Sequence, residues 1–162
     1  QYPLRTEEMY FMPEKGIDSD DAAIKERAEK AIFPTRNLWD AARAINRWVY
    51  LNIEYTGDSW GAKETFVNLK GDSRSKALLT VALLRSVGIP ARLVGGMIYS
   101  QGELKDHFWV EVFLSQGTGW GPMDPTLNDT DDISAAHISL YVGAQDIHIT
   151  AKDVEVSDIN AD

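Results

Sequence analysis

The apolar positions of this chain change period near residue 90. Ahead of it they recur at helical spacing: Ile24, Ala28, Ala31 and Ile32, then Leu38, Ala41, Ala42, Ile45 and Val49. Ser19, Asp20 and Asp21 are candidate N-caps of the first helix, Pro34 breaks it, and Thr35 is a candidate cap of the second. Thr56-Gly57-Asp58-Ser59 reads as a turn, and Thr65–Leu69 as a short helical piece. Gly71-Asp72-Ser73 then opens a helix expected to run to about Val87. Ala77, Leu78, Leu79, Val81, Ala82, Leu83 and Leu84 make it apolar nearly all round, so it belongs at the centre of the core. Gly88 suits a left-handed cap, and Ile89-Pro90 forbids continuation.

After Pro90 the period is two. Ala91–Tyr99, His107–Leu114, Gly119–Asp124, His137–Val142 and a stretch near Ile147–Val156 read as strands joined by loops of Gly, Asp and Ser. Helices first and strands afterwards predict an α+β fold, an antiparallel sheet packed on the central helix. With no internal repeat and no linker, residues 1–162 read as one domain: an N-terminal arm over 1–18, a helical part over 19–90 and the sheet over 91–157. The apolar run Met9-Tyr10-Phe11-Met12-Pro13 is expected to lay the arm on the main body.

Composition adds mainly exclusions. At 44% hydrophobic and 25% charged, the chain is of ordinary globular make-up, with no run long enough to span a bilayer. A net charge of −9 argues against nucleic acid, which is held chiefly by basic faces. The absence of cysteine removes disulfides, zinc thiolates and thiol nucleophiles. A start at Gln1 rather than methionine leads to the expectation that a signal peptide, a membrane anchor or other sequence lies upstream. Any membrane association would then come through that anchor, and the expected setting is extracytoplasmic, periplasmic or membrane-tethered.

The strand from His107 carries Phe108, Val110, Val112 and Leu114 on one face and His107, Trp109, Glu111 and Phe113 on the other. A loop over Ser115–Gly119 closes a hairpin with the next strand. If Leu114 lies opposite a residue between Gly117 and Gly119, His107 lies opposite one between Asp124 and Thr126. His107 and Asp124 are therefore expected neighbours. A carboxylate on one imidazole nitrogen fixes the tautomer and leaves the other nitrogen as a general base. A cross-strand polar pair that only satisfies itself explains the same spacing, and the spacing does not choose between the two.

Ser73, behind Gly71 at the entry of the buried helix, sits where backbone amides and the helix dipole favour an anion. That suits a nucleophile whose attack creates an oxyanion. Taken alone, Ser73 or Asp72 reads more simply as a cap.

Gly71-Asp72-Ser73, followed by Lys76-Ala77-Leu78-Leu79 and by Ala82-Leu83-Leu84-Arg85-Ser86-Val87-Gly88-Ile89-Pro90-Ala91-Arg92, resembles the nucleophile helix of transglutaminase-like proteins, a branch of the papain-type cysteine hydrolases. His107-Phe108-Trp109-Val110-Glu111-Val112 resembles the family's histidine strand, and Trp120 through Met123-Asp124-Pro125-Thr126 its aspartate segment. Ala136-His137-Ile138-Ser139-Leu140, with Gly143 following, is similar to a segment after the triad in bacterial members. The likeness runs from about residue 35 to about residue 145, with its blocks in the family's order. It implies a papain-like fold, a peptide or protein substrate, no cofactor, and a triad of Ser73 as nucleophile, His107 as base and Asp124 as orienting carboxylate. It also implies an oxyanion site from Ser73 and, through Ser59-Trp60-Gly61, the indole of Trp60.

The departure is serine where the family carries cysteine. A thiol at a helix entry can ionise near neutrality, whereas a hydroxyl must lose its proton during attack. Ser73 is therefore expected to be much less reactive. Three readings stay open: an engineered replacement, a natural domain that binds peptide without turnover, and a working serine hydrolase. Elsewhere, His137, Ser139 and Tyr141 read as a solvated face against Ile138, Leu140 and Val142. His137 and His148 lack metal-binding partners at short spacing, so no metal is expected. Asp129, Asp131 and Asp132 form an acidic loop without a full calcium pattern. Arg85 and Arg92 read as ion-pair partners, and Glu111 shares the His107 face.

Overall fold

The structure, a computed structural model, describes residues 8–35, 37–130, 133 and 136–144. The expected strand near Ile147–Val156, His148, Asp131 and Asp132 lie outside these. Helix α1 spans Ala22–Ile32 and α2 Leu38–Asn52. Asp21 caps α1, accepting from the amides of Ala23 and Ile24, whereas Asn37, not Thr35, caps α2. The two-residue strands β1 (Glu54–Tyr55) and β2 (Lys70–Gly71) pair in parallel around α3 (Ala62–Asn68). Such short strands carry no periodicity to read in sequence.

Helix α4, Ser73–Ser86, is buried at every residue except Arg74 and Ser86. Burial on all sides follows from its composition, and the backbone leaves it through Gly88 at φ +78°. Its interior polar groups are satisfied locally: Thr80 Oγ1 donates to the Lys76 carbonyl, and Lys76 Nζ to the Ile53 carbonyl at 2.9 Å. Burial pushes the Lys76 ammonium pKa down, against the pull of Asp124.

Strands β3 (Ala91–Ser100), β4 (Glu103–Ser115), β5 (Gly119–Met123) and β6 (His137–Val142) form an antiparallel sheet in the order β5-β4-β3-β6. β4 begins four positions ahead of His107, because Gln101 and Gly102, both at positive φ, make a two-residue hairpin with Ser100 opposite Glu103. Ala91 and Leu93 of β3 and Val110 and Val112 of β4 join α1, α2 and α4 in one core. No described helix is long and apolar enough to cross a membrane.

The arm docks through fewer side chains than its apolar run suggests. Ile17 is fully buried and Tyr10 meets Trp120 edge-on at 4.9 Å, but Met9, Phe11 and Met12 stay exposed. Arg85 fastens the arm instead, donating to the Met12 carbonyl and pairing with Glu14 at 2.9 Å. Arg92 pairs with Glu111 at 2.6 Å under the Trp120 ring. Both arginines are thus the ion-pair partners expected of them.

Candidate active site

The hairpin places the base. Val110 pairs with Met123 and Phe113 with Trp120, a register that carried onward sets Thr126 opposite His107, the outer limit of the sequence expectation. Asp124 falls diagonally from His107, within reach across the ladder. Its backbone closes an antiparallel bridge with Asp129. His107 Nε2 and Asp124 Oδ2 lie 2.7 Å apart, both residues buried. Held by Nε2, the imidazole keeps Nδ1 as its other nitrogen for proton transfer.

Asp124 accepts on both oxygens. Oδ1 takes the amides of Thr126 at 2.7 Å and Leu127 at 3.2 Å; Oδ2 takes His107 and, at 3.1 Å, Nε2 of His137. Burial works to raise the pKa of this carboxyl. The hydrogen bonds from His107 and His137, the charge of His107 and the Thr126 amide outweigh it, holding the group well below the usual carboxylate range.

His137 corrects the sequence reading. Its side chain is 2% exposed, not solvated, while Ile138 and Leu140 face outward at 42% and 39%. The reason is a bulge. Gly95 pairs with Tyr141 and Gly96 with Ser139, so Leu140 is skipped and the faces swap along β6. A Cβ on Gly95 would lie 2.2 Å from the Tyr141 ring, and one on Gly96 2.0 Å from the Ile138 carbonyl. The paired glycines let β6 close in, with His137 stacked edge-on to Trp109 at 5.1 Å and 5.4 Å from the His107 ring. The isolated Gly-Gly in a strand was the available signal. The three side chains also bring three potential metal-ligand atoms within 4.8 Å of one another, partners that spacing in sequence did not reveal.

At the entry of α4, Asp72 is the cap: its Oδ1 accepts from the Ser75 amide and hydroxyl, both at 2.8 Å. Ser73 is therefore the first helical residue and not the cap. It is 5% exposed, and among the described residues its hydroxyl makes no hydrogen bond, to His107 included. α4 packs on the Val110 and Val112 face of β4, while His107 alternates to the other side of that strand. The neighbouring Arg74 guanidinium stands 6.0 Å from the Phe108 ring and reaches the Ala144 carbonyl.

Trp60 is tied to the same helix turn, its amide donating to Ser75 Oγ at 2.8 Å, with Lys70 Nζ 5.8 Å from its ring. It lines a cleft of about 420 Å³ with Lys15, Gly16, Glu64, Arg74 and Leu78. This cleft runs beside the first turns of α4, but Ser73, His107 and Asp124 are not in its walls. Glu111, on the His107 face of β4, is occupied by Arg92. Buried Asn46, whose Nδ2 faces the Asp124 carbonyl at 3.4 Å, was hidden in sequence within the apolar stripe of α2.

The family model described as the transglutaminase-like superfamily matches residues 25–125. The uncharacterised protein ML0607 of Mycobacterium leprae is 29% identical over 139 residues, 78% of this chain and 47% of its own length. A crystal structure of a candidate cysteine protease from Cytophaga hutchinsonii superposes with a TM-score of 0.71 at 25% identity, over 87% of this chain and 48% of that one. The chain thus spans about half the length of these relatives.

Proposed function

The chain belongs to the transglutaminase-like superfamily, and from that premise we propose an acyl-transfer site for peptide or isopeptide amides in which Ser73, His107 and Asp124 act together. The observation that carries the reading is the buried 2.7 Å contact of His107 Nε2 with an ionised Asp124, which leaves Nδ1 as the proton acceptor. The cap taken by Asp72 supports it, since Ser73 is not consumed in capping the helix entry.

In a cysteine form, residue 73 attacks the amide carbonyl and the carbonyl electrons move onto oxygen. The Ser73 backbone N–H, the helix dipole and the Trp60 indole stabilise that oxyanion. His107 Nδ1 carries the proton to the leaving amine, and water or a second amine then releases the acyl group. Hydrolysis is the favoured outcome over crosslinking. With serine in place the same path starts from a neutral hydroxyl, so turnover is much weakened.

One observation favours a second reading, a peptide-binding module without turnover. The Ser73 hydroxyl has no hydrogen bond to His107 among the described residues. A reactive-probe assay separates the readings. Labelling of Ser73→Cys and not of the serine chain supports a site with a replaced nucleophile. No labelling of either form supports the binding module, and fluorophosphonate labelling of Ser73 itself supports a serine hydrolase.

A further inference from the structure

The geometry points to His137 as a positioning residue that aims Asp124 at His107. Both imidazoles use Nε2 on the same oxygen, Asp124 Oδ2, at 2.7 and 3.1 Å. A carboxylate oxygen only accepts, so each ring brings an N–H there, and both are held with Nδ1 as the remaining nitrogen. Oδ1 is fixed by the amides of Thr126 and Leu127. Without His137 the Oδ2 lobe would have His107 as its single donor among the described residues, and one lone pair would be left unmatched at a buried, ionised oxygen.

The fold holds His137 firmly in this place. Its ring is wedged between Trp109 and His107 by the Leu140 bulge, and its side chain is 2% exposed. It is one ring removed from the proposed reacting atoms and acts through the carboxylate. The consequence for turnover rests on the proposed site; the hydrogen-bond arrangement rests on Asp124 alone.

The test uses three variants of the whole chain. His137→Gln can return an amide N–H near the Nε2 position. His137→Phe keeps the ring without a donor, and His137→Asn keeps a donor on too short a stem. Ring 1H–15N correlation spectra report the His107 tautomer and the exchange of its Nε2 proton. Exchange is expected to quicken about tenfold in His137→Phe and His137→Asn, the scale of one lost hydrogen bond to a charged group, and to hold in His137→Gln. On a Ser73→Cys background the alkylation rate should fall about tenfold with Phe or Asn and stay within about twofold with Gln.

Unchanged exchange in a folded Phe or Asn variant overturns the inference, as does loss in the Gln variant equal to that in Asn. Stoichiometric zinc binding abolished by His137→Gln also overturns it, because the cluster would then be a metal centre. If exchange follows the expected pattern while the thiol of Ser73→Cys is never alkylated, the proposed function fails and this inference stands.

Discussion

On one face of the four-stranded sheet, Leu79, Val81 and Leu83 of α4 share a core with Leu93, Val110 and Val112. On the other, His107, Trp109 and His137 gather around one carboxylate, equally out of water. The first face is held by shape and apolar area, the second by a closed set of hydrogen bonds around a charge. Removing a methylene from the first leaves a void that neighbours can partly fill. Removing a donor or acceptor from the second leaves a charge or a polar group with no water to turn to.

Four substitutions or titrations press on that difference. Asp124→Ala strips the acceptor from two buried imidazoles and two amides and should cost about 4 kcal/mol in chemical denaturation, the scale of a broken buried pair. Leu79→Ala on the apolar face should cost about 3 kcal/mol. Equal or reversed costs would erase the contrast between the faces.

Acid should separate them next. The Asp124 carboxyl titrates lower in the folded chain than unfolded, so the unfolded state takes up the proton first as pH falls. Its stabilisation is complete above the unfolded value of about 4 and is lost as pH drops from there toward the native value. The urea midpoint of the parent chain should therefore fall below about pH 4 more steeply than that of Asp124→Asn. Parallel curves would mean the carboxyl is not held ionised by the fold. Smallest of all, Asp72→Ala should cost about 1 kcal/mol through loss of the α4 cap, measured by thermal unfolding. A negligible change would return the capping role to Ser73.

The two faces also differed in how far they could be read from sequence. α4, its Gly88 exit and the Val110 and Val112 face followed from apolar spacing, because each obeys a single period over many residues. The His107–Asp124 pairing was legible too, since a short hairpin constrains its register. The span of β6 is legible, but its faces are not, for a physical reason: one skipped residue, Leu140, reverses the meaning of alternation, and periodicity has no way to register it. Asn37 as the α2 cap and the short β1–β2 pair turned on local geometry that several residues could satisfy equally. Asn46 stayed hidden because it occupies an ordinary core position of α2 and differs from its neighbours only in what faces it across the fold.

In the proposed site, residue 73 and His107 share one reaction coordinate. This coupling is tested most directly by the alkylation rate of Ser73→Cys across pH, measured beside Ser73→Cys combined with His107→Ala. At pH 7 the thiol is expected to react about tenfold faster when His107 is present, as a helix-entry thiolate paired with an imidazole should. Identical rates in the two variants, both with the pH dependence of a free thiol, would contradict it.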